Sequence, residues 1–424
     1  MLKKKLLKIS EIVNKGVVYS AFLFSFFIAF SVKLANVSLI AFYVFSVGAY
    51  FVNKPTISSA SVKVLKFSSI LFLASILVSV FSHAEFGLIL KGIGRRITFL
   101  LSPLVFLLLS KDSISVIKEK TLKGLVLGVF LSSVFLVINI FYEYYLTRPL
   151  FTIDKDIFNF YHTNYYFTRI LDIHPSYYGM FVIVAMSVVY FYKGFSSKMM
   201  NIAFVILSSV IVLFLNARII LFLFLILNSA YLIRYFYIKT NQILHTALLT
   251  IAVFVVTSLI LFFATKNTYA YQRVFKETLW ELSDSNKVTP DFKVSGESRM
   301  LRWGAAIHII KEKPLLGYGV FKERETLGKE YLKQDMQSSY QRAYNAHNQF
   351  LGFTIEGGLV SGAILVLFFL TNFYISFKRK DILYTFFVFS VLSICLIENY
   401  LIRNAGVIFV SFFSSIYLYN QTGK

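Results

Sequence analysis

Residues 201–235 read NIAFVILSSVIVLFLNARIILFLFLILNSAYLIRY. Between Asn201 and Ile233 the sole charged residue is Arg218. An α-helix needs about 20 apolar residues to cross a hydrocarbon core of about 30 Å, and there it satisfies its own backbone hydrogen bonds. The stretch therefore predicts two membrane helices, 201–216 and 219–235, turned back on each other at Asn216-Ala217-Arg218.

The same pattern extends in both directions. Apolar runs at 17–32, 36–52, 66–82, 97–110, 123–145, 174–192, 244–265, 348–373, 382–398 and 404–420 bring the expected spans to twelve. The run at 97–110 is short for a full crossing and fits a tilted or re-entrant path. The expected fold class is an all-α polytopic helical membrane protein with one large external loop. Composition agrees: the 424 residues are 57% hydrophobic and 15% charged, at a mean hydropathy of +0.69. A soluble chain carries about 25% charged residues. The 47 Phe and 27 Tyr suit lipid-facing and interfacial positions.

A net charge of +22 raises the question of nucleic acid. The basic residues, however, gather in short loops between apolar runs, and no soluble domain offers a groove. They read instead as cytoplasmic anchors, notably Lys3, Lys4, Lys5 and Lys8, and Lys378-Arg379-Lys380. With both termini cytoplasmic, 20 of the 43 Lys and Arg fall inside. Of the remaining 23, 14 lie in the segment 266–346, and long translocated segments escape the charge rule. Cys395 is the single cysteine, which excludes an intramolecular disulfide and a cysteine metal site. The first apolar run begins near Val17 without a small-residue cleavage site, so no cleavable signal is expected.

Three regions follow: an N-terminal transmembrane bundle at 1–265, an external loop subdomain at 266–346, and C-terminal transmembrane helices at 347–424. Within the loop, Glu297 to Lys313 reads as a helix, with Leu301, Ala305 and Ile309 on one face. Pro314 ends it, and Leu315-Leu316-Gly317-Tyr318-Gly319 supplies a turn. Tyr331 to Arg342 reads as a polar, mobile approach to the next span. A second external segment, 146–173, is aromatic and polar.

Hydropathy places three cationic or basic residues, Arg218, Arg299 and His347, at the external face. Arg218 occupies a hairpin on the side that positive charge avoids, which favours an oxyanion ligand over a mere interfacial anchor. Arg299 shares a helix face with Trp303, so a cation–π pair stands beside any binding role. His347 opens the tenth span. The positive end of a helix there favours the uncharged imidazole that a general base requires, and free N–H groups attract phosphate. Glu398 and Arg403 bracket the last external turn and are expected to pair with each other. His174 and His308 read as capping or packed residues. Walker, His-Glu-x-x-His and Gly-x-Ser-x-Gly signatures are missing, and no carboxylate cluster suggests a metal.

From Ser298 to Leu370 the chain resembles the O-antigen ligase and polymerase family of bacterial membrane glycosyltransferases. The residues that carry this are Arg299-x-x-x-Trp303, Pro314-Leu315-Leu316-Gly317-Tyr318-Gly319, His347-Asn348-Gln349-Phe350-Leu351 and Glu356-Gly357-Gly358-Leu359. Asn216-Ala217-Arg218 and the closing segment from Glu398 to Phe409 are similar as well. The resemblance implies an architecture of the glycosyltransferase C type and a metal-independent, inverting transfer without a cofactor. The donor would be an undecaprenyl diphosphate-linked glycan and the acceptor a glycolipid such as lipid A–core. It implies that Arg218 and Arg299 hold the diphosphate and that His347 is the catalytic base. Trp303, Tyr344 and Asn348 are the further substrate-binding candidates. The implied location is the bacterial inner membrane, among its lipids, with the site facing the periplasm. Polymerisation of the lipid-linked chain is the nearest alternative. A glycan flippase would instead bury charges mid-span, and a non-catalytic partner would not need His347.

Overall fold

The computed structural model describes residues 2–80, 85–146, 148–149, 154–266, 268–281 and 297–419. All regular structure among them is helical. The N-terminal part holds α1 (Leu2–Phe27), α2 (Val32–Asn53), α3 (Ser59–Ser68), α4 (Ile70–Val80), α5 (Phe86–Arg96), α6 (Thr98–Leu107) and α7 (Lys111–Tyr145). There follow α8 (Tyr165–Thr168), α9 (Pro175–Phe191), α10 (Lys198–Leu215), α11 (Arg218–Thr240), α12 (Ile243–Thr265), α13 (Tyr269–Tyr271) and α14 (Glu277–Glu281). The chain ends with α15 (Arg299–Glu312), α16 (Glu323–Lys333), α17 (Gln337–Gln341), α18 (Gln349–Lys378), α19 (Ile382–Cys395) and α20 (Asn404–Tyr419).

This is a polytopic helical membrane protein. Five described helices, α2, α7, α10, α11 and α18, are long and apolar enough to cross a bilayer, and the number reaches seven if each of two bent pairs counts as one span. That differs from the twelve spans expected, for identifiable reasons. The third expected span is broken between α3 and α4 by 43°, and the sixth bends by 80° ahead of α9. Four others correspond to shorter apolar helical stretches, α6, α19, α20 and Ile243–Val256 of α12. At 1.5 Å per residue, the 10 residues of α6 reach only about 15 Å.

The chain divides into two compact units. One comprises Met1–Ala21, Asn36–Lys120 and Leu279–Lys424; the other comprises Phe22–Ala35 and Thr121–Thr278. In the first, the loop helices form a small core of their own. Ala305, Ala306 and Ile309 of α15 pack with Leu327 and Tyr331 of α16, Met336, Ala346 and Ile355. The stretch 331–342, expected to be mobile, is therefore folded: Tyr331, Met336 and Ser339 are buried, and α17 forms within it. Glu297 ties α17 down by accepting hydrogen bonds from the backbone N–H and hydroxyl of Ser339, both at 2.7 Å. The expected helix at Glu297–Lys313 is α15, capped by the Ser298 hydroxyl.

The Pro314–Gly319 turn has a structural partner. Inside α18, Gly357 and Gly358 leave helical geometry, Gly358 at φ +66°. The break frees the carbonyls of Ile355 and Glu356, which accept from the N–H groups of Tyr318 (2.9 Å) and Gly319 (2.8 Å). Leu359 N–H donates in return to Pro314 O at 2.7 Å. A Cβ on Gly358 would lie 2.0 Å from Leu315 O, so only glycine admits this approach. The two glycine-containing motifs are thus one device, a turn docked into a broken helix.

In the second unit, α10 ends at Asn216, whose left-handed backbone (φ +45°) reverses the chain, and α11 begins at Arg218. Asn164 secures the reversal by donating to Leu215 O (3.1 Å) and Asn216 O (3.3 Å). The 146–173 aromatics gather in part: Phe160 packs on Tyr161, Tyr166 and Tyr269, with Phe160 and Tyr161 exposed.

Candidate active site

In the first unit, Asn348 caps α18, its Oδ1 accepting from the N–H groups of Phe350 (2.9 Å) and Leu351 (3.2 Å). The cap fixes where the helix starts and leaves His347 just ahead of it, in a left-handed conformation (φ +47°). Histidine tolerates that region better than most residues, at a cost of order 1 kcal/mol, and such strain gathers at functional sites.

The imidazole meets a carboxylate there. His347 Nδ1 lies 3.2 Å from Glu398 Oε2, with the two side chains 27% and 20% exposed. An ionised carboxylate only accepts hydrogen bonds, so a neutral imidazole in this pairing would carry its hydrogen on Nδ1 and keep a lone pair on Nε2. This is the arrangement in which a carboxylate orients a histidine base and stabilises the charge it gains. The Tyr344 ring packs edge-on against the imidazole at 5.6 Å.

The other Glu398 oxygen faces Arg299 Nη2 at 3.8 Å. Arg299 Nη1 donates to Ile397 O (3.1 Å), and its Nε faces Glu281 Oε2 at 3.4 Å. Glu281 also accepts from Arg299 N–H at 3.1 Å and from Arg302 Nη2 at 3.3 Å. The guanidinium is thereby aimed before any ligand arrives. Among the described residues, two arginines here face two glutamates, so these four charges balance.

Trp303 lies elsewhere than against Arg299: its indole N–H donates to Ala346 O at 2.9 Å, gripping the residue before His347. Tyr344 is covered by the Arg302 guanidinium, 4.8 Å above its ring. Of the expected residues, Arg299, Trp303, Tyr344, His347 and Asn348 therefore belong to one connected cluster. Glu398, expected to pair with Arg403, is engaged by His347 and Arg299. Glu281 and Glu398 were missing from the expected site. The position of Glu398 at the end of an apolar run was the one available signal.

Arg218 belongs to the second unit. Its Nη2 lies 2.9 Å from Glu277 Oε2, and Arg273 Nη1 faces the same oxygen at 3.7 Å. Arg273 Nε also donates to Asn216 O at 3.2 Å, tying it to the hairpin. Arg218 and Arg273 thus converge on one buried carboxylate.

Two expected bystanders are placed as well. His174 caps α9, accepting from Ser176 N–H at 3.3 Å. His308 meets the buried Glu330 at 2.9 Å, and Glu312 completes a group whose ligand atoms lie within 4.8 Å of one another. Lys333 is 3.4 Å from Glu330 and 3.9 Å from Glu312, so an ammonium already serves this cluster.

No curated protein matches the chain. Residues 203–367, which include Arg218, Arg299 and His347, match the family model described as O-antigen ligase.

Proposed function

We propose that this protein transfers an undecaprenyl diphosphate-linked O-antigen, or a related polysaccharide, to a glycolipid acceptor such as lipid A–core at the periplasmic face of the inner membrane. The observation that carries the reading is the Glu398–His347 pair set beside the aimed guanidinium of Arg299. His347 Nε2 takes the proton from the acceptor hydroxyl as its oxygen attacks the anomeric carbon. The bond to the diphosphate oxygen breaks on the opposite face, which inverts the configuration. Arg299 meets the negative charge that grows on the leaving group, and Arg218, held in the other unit, is a further candidate oxyanion ligand. No step draws on a metal or cofactor, because the activated donor supplies the driving force. The orientation with both termini cytoplasmic is part of the same proposal and follows from the loop charges.

Replacing His347 or Arg218 with Ala in the source cell, and running its surface glycolipids on a gel, tests this. Loss of capped lipid A with accumulation of long lipid-linked chains is expected. Loss of long chains altogether assigns polymerisation instead. A normal profile at normal expression overturns the catalytic reading. A flippase is disfavoured by position, since Arg218 and His347 sit at helix starts rather than mid-span.

A further inference from the structure

His347 and Glu398 are 51 residues apart, and their 3.2 Å contact demands that two chain segments keep register. The grip is applied one residue away on each. Ala346, fully buried, donates its N–H to Glu323 Oε1 at 3.0 Å while its carbonyl accepts from Trp303. Asn399, also buried, donates through Nδ2 to Glu323 Oε1 at 2.8 Å and Oε2 at 2.9 Å. Glu323 thus holds both segments at once. A second tie runs parallel: Leu401 N–H donates to Gln349 Oε1 at 2.6 Å.

Glu323 is 3% exposed, and a buried carboxylate is costly unless its oxygens are satisfied. Burial and the neighbouring Glu356 push its carboxyl up to about 7, against the Ala346 and Asn399 hydrogen bonds. Space is kept for it as well. A Cβ on Gly352 would lie 2.9 Å from Asn399 Nδ2 and 3.1 Å from Glu323 Oε1. An apolar side chain would fill the site at lower cost, but it would hold neither segment by a directed bond.

We propose that Glu323 is a positioning residue for the transfer reaction, setting through Ala346 and Asn399 the register of His347 against Glu398. The proposal rests on His347 acting as the base. A displacement of about 1 Å at a reacting group costs about 100-fold in rate, so the tie acts on turnover more than on donor affinity.

The test uses the full chain, purified in a membrane mimetic, with a synthetic lipid-linked donor and a glycolipid acceptor. Asn399→Asp sets two carboxylates face to face. Combined with Glu323→Gln it restores the tie in reverse: the new amide donates to position 399 while its carbonyl still accepts from Ala346. For folded protein, we expect Asn399→Asp to lose about 100-fold in kcat with donor KM within about threefold, and the double variant to recover to within about tenfold. Where Asn399→Asp yields no folded protein, Glu323→Met, which can accept from neither segment, takes its place, with the same loss in kcat at an unchanged KM expected and wild-type kcat or a loss confined to KM overturning the proposal. Wild-type kcat in the folded single variant, a loss confined to KM, or a double variant no better than the single overturns the proposal. His347→Ala is run alongside. If it stays active, the base assignment itself fails; if it is inactive while Asn399→Asp is not, only the positioning role fails.

Discussion

Glu398→Gln separates the electrostatic part of the proposed chemistry from mere packing, because the change keeps shape and removes charge. Unit charges 3.2 Å apart interact by about 1.3 kcal/mol at the dielectric of water and about 5 kcal/mol at an effective constant of about 20. His347 and Glu398 are 27% and 20% exposed, between those limits, which puts the interaction at about 2–3 kcal/mol. It exists in full only once the imidazole has gained the acceptor's proton. The loss therefore falls on kcat, by about 30- to 160-fold. Donor KM should stay level or fall, since Glu398 also faces Arg299 at 3.8 Å and removing its charge frees that guanidinium for phosphate. Initial rates of the purified protein, with donor and acceptor varied separately, measure both. A kcat within about threefold of wild type, or a loss that lies wholly in KM, refutes the orienting role of the carboxylate.

Arg299→Lys keeps the charge but loses the planar fork that donates to Ile397 O while facing two carboxylates. A charged hydrogen bond contributes about 1.5–3 kcal/mol, so kcat/KM for the donor should drop by about 10- to 150-fold. Full activity in the lysine variant would show that charge alone suffices. Gly358→Ala forces a Cβ onto Leu315 O at φ +66° and ψ −172°, a region kept essentially to glycine; the backbone strain alone costs about 1–3 kcal/mol, and the melting temperature should fall by at least about 1–3 °C. An unchanged melting curve would mean that the docked turn contributes nothing. Glu323 binds its proton more tightly folded than unfolded, its carboxyl lying at about 7 against an ordinary 4.5. The stability this brings is complete below about pH 4.5 and is lost as pH rises through about 7, roughly 3 kcal/mol in all. Thermal denaturation from pH 5 to 8 should show that decline in the wild type and a flatter profile in Glu323→Gln; equal slopes would exclude the linkage.

The helices were legible because a bilayer imposes one demand along a whole run, which is why 201–235 reads without ambiguity. Their bends were not. The kink at Gly357–Gly358 arises where backbone meets backbone, and such pairing leaves little in the sequence beyond glycine; the break between α3 and α4 falls at Ser69, with no glycine to mark it. The site shows the same division. Arg299, His347 and Arg218 draw attention in the sequence because a cation expected at the external face is out of place locally. Glu398 was assigned to Arg403, the nearest opposite charge in sequence, whereas its carboxylate reaches His347, 51 residues earlier. Glu281 and Glu323 lie in polar stretches where one more polar residue carries no signal, and Asn399 sits in the turn beside Glu398. Tyr331 to Arg342 was misread for the converse reason: its polar majority hid Tyr331 and Met336, which are the residues that bury it.

The balance of charge around His347 bears on how such a site discriminates between substrate and transition state. Among the described residues, Arg299 and Arg302 are matched by Glu281 and Glu398, which leaves these four groups no surplus charge with which to hold a ground-state diphosphate tightly. On the proposed mechanism, surplus appears when His347 takes the acceptor's proton. At that moment the bridging oxygen of the donor is gaining negative charge. The same event that activates the nucleophile therefore turns a neutral cluster into a cationic one, and only for as long as the leaving group needs it. A site with permanently unbalanced arginines would bind the donor and the released diphosphate alike, lowering KM without raising kcat. The paired glutamates withhold that uniform attraction and leave the gain to the transition state.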